Sequence, residues 1–293
     1  MVRLNGRSAR RLLLPAVVSI AMAAGGLAAA TTATADTQPS HFVWTATSTS
    51  ISTDLTTINN GATNNNPNAL LFVTSNWDAN AVCGCVNDTA PLGVYYNGSQ
   101  WGIFNEDGSN MPVGASFNVV VLPAATSTAF SIAASSGNTG GDSLFLGSSV
   151  ANNSALFLQA TPVWNGLFDT SPIGVYYTGS QFAIFNENQS SMAANLRFNV
   201  LVGAVGGGKT GTLTASKSNT TGDSMLFNNS TTNGDSNSFA IATPNFNPKA
   251  MCGCVYDANT LGVWFNGSNL AVFNETGANM ALKVSANLLY WNS

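Results

Sequence analysis

One pattern recurs three times at fixed spacing, and a chain that repeats itself this way folds as copies of one structural unit. Gly93-Val94-Tyr95-Tyr96, Gly174-Val175-Tyr176-Tyr177 and Gly262-Val263-Trp264-Phe265 lead without a gap to Phe104, Phe185 and Phe273, eleven residues on. Met111, Met192 and Met280 follow seven after each phenylalanine, and Asn118, Asn199 and Asn287 fourteen after. Upstream, Asp54, Asp142 and Asp223 precede Trp77, Trp164 and Phe246 by 23, 22 and 23 residues. The registration sets repeats at 41–122, 129–203 and 210–292, joined by short linkers.

Each repeat reads as strands. Asn97-Gly98, Thr178-Gly179 and Asn266-Gly267 separate an apolar-aromatic run from a second alternating run. Asn-Gly supplies the positive φ angles of a type I′ turn, so a β-hairpin is expected at each place. Five or six strands in about 80 residues, punctuated by Gly, Pro and Asn, is the rhythm of a small sandwich or barrel. The expected fold is therefore all-β, three tandem repeats of a small antiparallel β-sandwich or barrel-like domain. The repeats could stand in a row, or share sheets as one pseudo-threefold body. So small a unit has a limited core and gains from inter-repeat packing or disulfides. Three tandem domains with substantial contacts is the preferred arrangement.

The first 35 residues have a different character. Arg3, Arg7, Arg10 and Arg11 precede an apolar run from Leu12 to Ala30, which ends in Ala33-Thr34-Ala35. That is the layout of a secretory signal peptide cut before Asp36, so a secreted, extracellular protein is expected. Only five basic residues follow, against all thirteen acidic ones, a formal charge of −8 from residue 36 on. Phosphate backbones need clustered Lys and Arg, so nucleic acid is not an expected partner. No later stretch approaches the ~20 apolar residues of a membrane-spanning helix, and an integral membrane protein is not expected.

The stretch GVYYNGSQWGIFNEDGSNMPVGASFNVVV resembles a family of small secreted bacterial domains of unknown function, marked by GVWY…WAIFNxDxxxMPxGAAFNV. NNNPNALLFVTSNW upstream resembles the same family's NGNPNA…VTxNWNP segment. The resemblance covers nearly all of the first repeat and, more loosely, the other two. It implies single or tandem β-domains and no established activity. Where members often carry histidines before GVWY, this chain has Ala90, Ser171 and Asn259, so no histidine-based role carries over.

Few constellations in the sequence carry chemistry. Residues 203–210 satisfy the formula of a phosphate-binding loop, but GTLTASKSN directly after them reads as a polar strand or loop rather than the required helix. Cys83-Gly-Cys85 and Cys252-Gly-Cys254 occupy one loop of repeats 1 and 3, and repeat 2 lacks both cysteines along with six residues. In an exported chain these read as disulfides, with pairing inside each CGC preferred. The intervening glycine would permit the tight turn. A bridge between repeats 1 and 3 is the rival pairing, and a four-thiolate zinc site a remoter one. Glu106, Glu187 and Glu275 come one per repeat after Phe-Asn, as do the upstream Asp54, Asp142 and Asp223. A glycosidase would need two such carboxyls facing each other across a substrate; acids at a loop start otherwise bond to their own turns. Tyr95, Tyr96, Trp101, Trp77 and Trp164 alternate along strands, half toward a core and half toward a surface that could hold a sugar ring. His41 is the single histidine, so the usual hydrolase and metalloprotease sets are missing.

The expected function is that of a secreted, non-enzymatic binding or adhesion protein. Glu106, Glu187, Glu275, Tyr95 and Trp101 are candidate ligand contacts, a glycan or cell-surface component the candidate partner, and no metal or cofactor is expected. An exported structural or self-assembling protein is the alternative. A glycan-active hydrolase using the glutamates is the third.

Overall fold

The computed structural model describes residues 38–79 and 83–292, and the expected signal peptide lies outside them. Each repeat has seven strands. Repeat 1 comprises β1 (Ser40–Thr45), β2 (Ile51–Ser52), β3 (Leu55–Thr57), β4 (Leu70–Asn76), β5 (Leu92–Tyr96), β6 (Trp101–Asn105) and β7 (Ser116–Leu122). Repeat 2 has β8 (Ala129–Ala133), β9 (Thr139–Gly140), β10 (Ser143–Phe145), β11 (Leu158–Val163), β12 (Ile173–Tyr177), β13 (Phe182–Asn186) and β14 (Arg197–Val202). Repeat 3 has β15 (Lys209–Thr214), β16 (Thr220–Thr221), β17 (Ser224–Phe227), β18 (Phe239–Pro244), β19 (Leu261–Phe265), β20 (Leu270–Asn274) and β21 (Ser285–Trp291). The all-β fold in three repeats holds. Seven strands replace five or six because β2, β9 and β16 have only two residues each, too few to show alternation.

The sheets cross the repeat boundaries, so the repeats share sheets as one body rather than standing in a row as the preferred arrangement has it, because the edge strands of each repeat pair with those of its neighbours. β2-β3-β6-β5 of repeat 1 continue into β11-β14-β8 of repeat 2, joined where β5 and β11 run parallel. β1-β7-β4 of repeat 1 continue into β19-β20-β17-β16 of repeat 3 through a parallel β4–β19 contact. The four-stranded sheet of repeat 2 and the three-stranded sheet of repeat 3 touch through the parallel bridge Val175↔Asn245. Each repeat thus gives four strands to one neighbour and three to the other, and the succession closes from 1 to 2 to 3 and back to 1. Within a repeat every pairing is antiparallel, as expected; the parallel contacts arise only between repeats.

Burial explains the continuous apolar runs. Strand β7, SFNVVVL, is buried at all seven positions. Phe117, Val119 and Val121 face the core of their own repeat, while Val120 and Leu122 join a separate cluster with Ala129, Leu201, Phe239, Ile241 and Leu289 from the other two repeats. A strand covered on both faces loses the apolar/polar alternation. Three intra-repeat cores and this central one make up the interior.

The three expected hairpins are β5–β6, β12–β13 and β19–β20. Their turns differ from type I′, because the positive φ falls on Gly98, Gly179 and Gly267 alone and not on the residue before. That preceding side chain instead caps the loop. Asn97 Oδ1 accepts the backbone N–H groups of Ser99 and Gln100 at 3.0 and 2.9 Å, and Asn266 Oδ1 does the same for Ser268 and Asn269 at 2.9 and 2.8 Å. An Asx turn of this kind needs only one left-handed residue. The loop at 203–210 runs into β15, a strand rather than a helix, and Lys209 Nζ donates to Thr231 Oγ1 at 3.0 Å.

Candidate functional site

The three glutamates lie where repeats meet. They are the only glutamates in the sequence. Glu106 Oε2 accepts the backbone N–H of Asp169 at 2.8 Å, Glu187 Oε2 that of Asp257 at 2.9 Å, and Glu275 Oε2 that of Asp88 at 3.1 Å. Each bond runs from one repeat to the next in the same cyclic order. The glutamates are 1 to 2 % exposed, so they are structural clamps closed off from solvent.

Their other oxygen packs on the glycine of the GVYY-type motif. A Cβ on Gly93 would fall far inside van der Waals contact of Glu106 Oε1 and 2.5 Å from Phe104 Cζ. Gly174 and Gly262 meet Glu187 and Glu275 in the same way. This accounts for the joint recurrence of Gly, Phe and Glu at fixed spacing: strand pairing sets Gly93 opposite Phe104, Gly174 opposite Phe185 and Gly262 opposite Phe273.

The recurrent asparagines also join repeats. Asn118 Nδ2 donates to Ala240 O at 2.7 Å, Asn199 Nδ2 to Leu71 O at 3.1 Å and Asn287 Nδ2 to Leu158 O at 3.1 Å. A buried amide inside an apolar strand is stable only when paired in this way. Met111, Met192 and Met280 fill the intra-repeat cores.

Burial sets the electrostatics of the junctions. Desolvation pushes Glu106, Glu187 and Glu275 up to about 8, helped by the facing Asp169, Asp257 and Asp88 and opposed by the backbone N–H each accepts. Burial likewise raises Asp88 and Asp169 to about 6, and raises Asp257. Asp88 Oδ2, Asp169 Oδ2 and Asp257 Oδ2 are buried without a protein partner, as are Oδ1 of Asn105, Asn186 and Asn274. Proton uptake supplies the donor that such acceptor-rich sites lack.

Beside each clamp lies a pocket of one design. Between repeats 1 and 2 it has a volume of 270 Å³ and is lined by Asp54, Leu55, Tyr95, Phe104, Trp164 and Phe168. Between repeats 3 and 1 it has 250 Å³, lined by Trp77, Asn87, Asp223, Ser224, Trp264 and Phe273. Between repeats 2 and 3 it is 130 Å³, lined by Asp142, Ser143, Tyr176, Phe185, Phe246 and Tyr256. One repeat gives the aspartate and two rings, and the next gives Trp164, Trp77 or Phe246, whose backbone N–H bonds to Val94 O, Val263 O or Val175 O at 2.9 to 3.0 Å. Each aspartate Oδ1 accepts a hydroxyl from an adjacent residue, Thr53, Ser143 or Ser224, at 2.7 to 2.9 Å. At the rims, Phe168 and Tyr256 are 47 % and 41 % exposed.

Of the candidate contacts, Tyr95 lines a pocket and Trp101 does not. Register decides this: Tyr96 lies opposite Trp101 and Tyr95 opposite Gly102, so Trp101 joins Tyr96 on the core side, and its Nε1 donates to Asn66 O at 2.8 Å. The glutamates lie behind the pockets in the junctions rather than in an open cleft. Phe168 and Tyr256 are pocket residues that the sequence did not single out, and Phe104, Phe185 and Phe273, recognised there as recurrent, were not among the candidate contacts. Phe168 and Tyr256 share a signal, since each stands immediately before the aspartate whose N–H the glutamate binds.

The sulfurs of Cys83 and Cys85 meet, as do those of Cys252 and Cys254, with Cα separations of 4.8 and 4.9 Å. The turn is made by the second cysteine rather than the glycine, since Cys85 and Cys254 have φ of 48° and 51°. The glycines serve close approach: a Cβ on Gly253 would stand 2.6 Å from Lys283 O. A disulfide inside each loop is the expected pairing. Alkylation without reductant should leave the intact mass unmodified; four alkylated thiols, or a peptide joining the two loops, would contradict it.

Among the described residues, no three His, Cys, Asp or Glu side chains gather as a metal site requires, and no helix is long and apolar enough to cross a membrane.

No curated protein and no solved structure matches the chain. The family described as Domain of unknown function (DUF7452) matches residues 28–121, 119–202 and 206–290, one match to each repeat. The chain therefore belongs to the DUF7452 family and contains three tandem copies of its domain.

Proposed function

We propose that the chain is an exported, non-enzymatic binding or adhesion protein whose ligand sites are the three junction pockets. The observation that carries this reading is the repetition of one pocket, an aspartate beside aromatic rings, at all three junctions. Concave, largely apolar sites with one or two fixed polar groups are the ordinary form of a small-ligand site. Three of them on one chain raise weak single-site binding through avidity when the target displays its ligand repeatedly, as a cell-surface polymer does. Export rests on the N-terminal pattern of arginines, apolar run and Ala-Thr-Ala. The hydrolase reading is disfavoured by the burial of all three glutamates.

The test is retention of the protein on intact cell surfaces and on insoluble polysaccharide, compared with a Phe168→Ser/Tyr256→Ser variant. Both rings are partly exposed at the rims, so the variant should stay folded, with a modestly lowered melting temperature, and lose most of the retention. Unchanged retention would put the binding surface elsewhere. The alternative, a self-assembling protein, draws on β1, β8 and β15, which end their sheets as strands of five or six residues. It requires the sedimentation coefficient to rise with concentration, and a constant monomer value is expected instead.

A further inference from the structure

We infer that the junction pockets receive an alkylated ammonium group, its methyl groups against the rings and its charge beside the aspartate. This rests on the reading of the pockets as ligand sites and goes further by naming the ligand's chemistry.

The ring geometry is the first support. Between repeats 1 and 2, Phe104 and Trp164 stand 5.8 Å apart at 84°, Phe104 and Phe168 6.0 Å apart at 65°, and Trp164 and Phe168 4.7 Å apart at 58°. Between repeats 2 and 3, Tyr176 meets Phe185 at 86° and Phe246 at 79°. Rings inclined to one another wall a pocket on several sides with π-density, which attracts a cation and accommodates bulky N-methyl groups. A single flat platform would suit one sugar face instead.

Charge is the second support. Each pocket contains one carboxylate, and no Lys, Arg or His is among the described lining residues. In the pocket between repeats 1 and 2, Asp54 is the one charged side chain, and the only side-chain donors among the described lining residues are the Tyr95 hydroxyl and the Trp164 indole N–H, few for the several hydroxyls of a sugar. From residue 36 on the chain has a formal charge of −8, which favours approach of a cation. That same pocket, with four rings and the largest volume of the three, is expected to bind most tightly.

The experiment is a titration of the whole protein with choline chloride and tetramethylammonium chloride, with 3,3-dimethylbutan-1-ol as the uncharged isostere of choline. Tryptophan fluorescence reads Trp164, Trp77 and Trp264, and saturation-transfer NMR reads the probe. Both cations should bind saturably, with the isostere about ten-fold weaker. Asp54→Asn should weaken choline by a similar factor in the tightest site, and Phe168→Ser, an exposed position, should do so without loss of fold. Retention on phosphatidylcholine but not phosphatidylglycerol vesicles would identify a displayed headgroup as the source, and binding of choline without vesicle retention a free one. Equal binding of the isostere would overturn the inference. So would binding of glucose or N-acetylglucosamine at Trp164 without choline, which would leave the pockets standing as ligand sites. Silence of every probe, together with retention on cell surfaces that pocket variants do not change, would overturn both.

Discussion

Gly93→Ala is expected to destabilise the protein by about 3 kcal/mol, read as a lowered urea midpoint at unchanged slope. The added methyl has nowhere to go. It meets Glu106 Oε1 and the ring of Phe104, both at buried positions, and Glu106 cannot swing aside without releasing the N–H of Asp169 in the next repeat. Ordinary overpacking is relieved by small shifts; here relief opens a junction and leaves a buried donor unpaired. Gly174→Ala and Gly262→Ala should behave alike, because Glu187 and Glu275 stand in the same relation to them. Gly61→Ala is the control, with no atom near the new methyl, and should change stability by less than about 0.5 kcal/mol. Equal stability of Gly93→Ala and the wild type would mean that Glu106 is free to move.

Raising the pH from about 4 to about 9 is expected to destabilise the fold. The junction glutamates have folded-state values pushed up to about 8 by burial, while the unfolded chain titrates in the ordinary carboxylate range. A group that holds its proton more tightly when folded gives its full stabilisation below the unfolded value and loses it as pH rises through the folded one. The loss therefore runs from about pH 4.5 to about pH 8 and is on the order of 5 kcal/mol per glutamate. The raised Asp88, Asp169 and Asp257 add to it with the same sign at lower pH. The charged groups facing each glutamate are acidic, Asp169 at Glu106, Asp257 and Asp142 at Glu187, and Asp88 and Asp223 at Glu275, and the opposing backbone N–H at each, with Ser75 at Glu275, does not outweigh burial. Replacing all three with glutamine should flatten the pH profile, since a neutral amide oxygen still accepts the facing N–H. A wild-type melting temperature that is flat from pH 5 to 9 would contradict the assignment.

The repeats and hairpins were legible in the sequence because they are local. Gly-Val-aromatic runs, Asn-Gly turns and fixed offsets to Phe and Met depend on residues within about one strand pair. The junctions were not, because their partners are remote: Glu106 binds a residue 63 positions away, Glu187 one 70 away and Glu275 one 187 away. The closing bond from repeat 3 to repeat 1 has no sequence signal beyond recurrence itself. Nor could one strand reveal the pockets, since Tyr95 and Phe104 are completed by Trp164 and Phe168 from the next repeat. Trp101 was misplaced for a more local reason, that the two faces of β6 are told apart only by the register with β5. The aspartates were legible as loop-start residues bonding to their neighbours, and the structure adds that the same residues border the pockets.

The central claim is that the recurring glutamate closes repeat junctions and leaves the aromatic pockets beside it as the open sites. With only three glutamates in the chain, selective labelling of their side-chain carboxyl carbons gives three NMR resonances to follow from pH 3 to 10. Three titrations with midpoints near 8 are expected, each displaced when the facing Asp169, Asp257 or Asp88 is replaced by asparagine. Midpoints near 4.3, the value of a glutamate in open solvent, would contradict the claim.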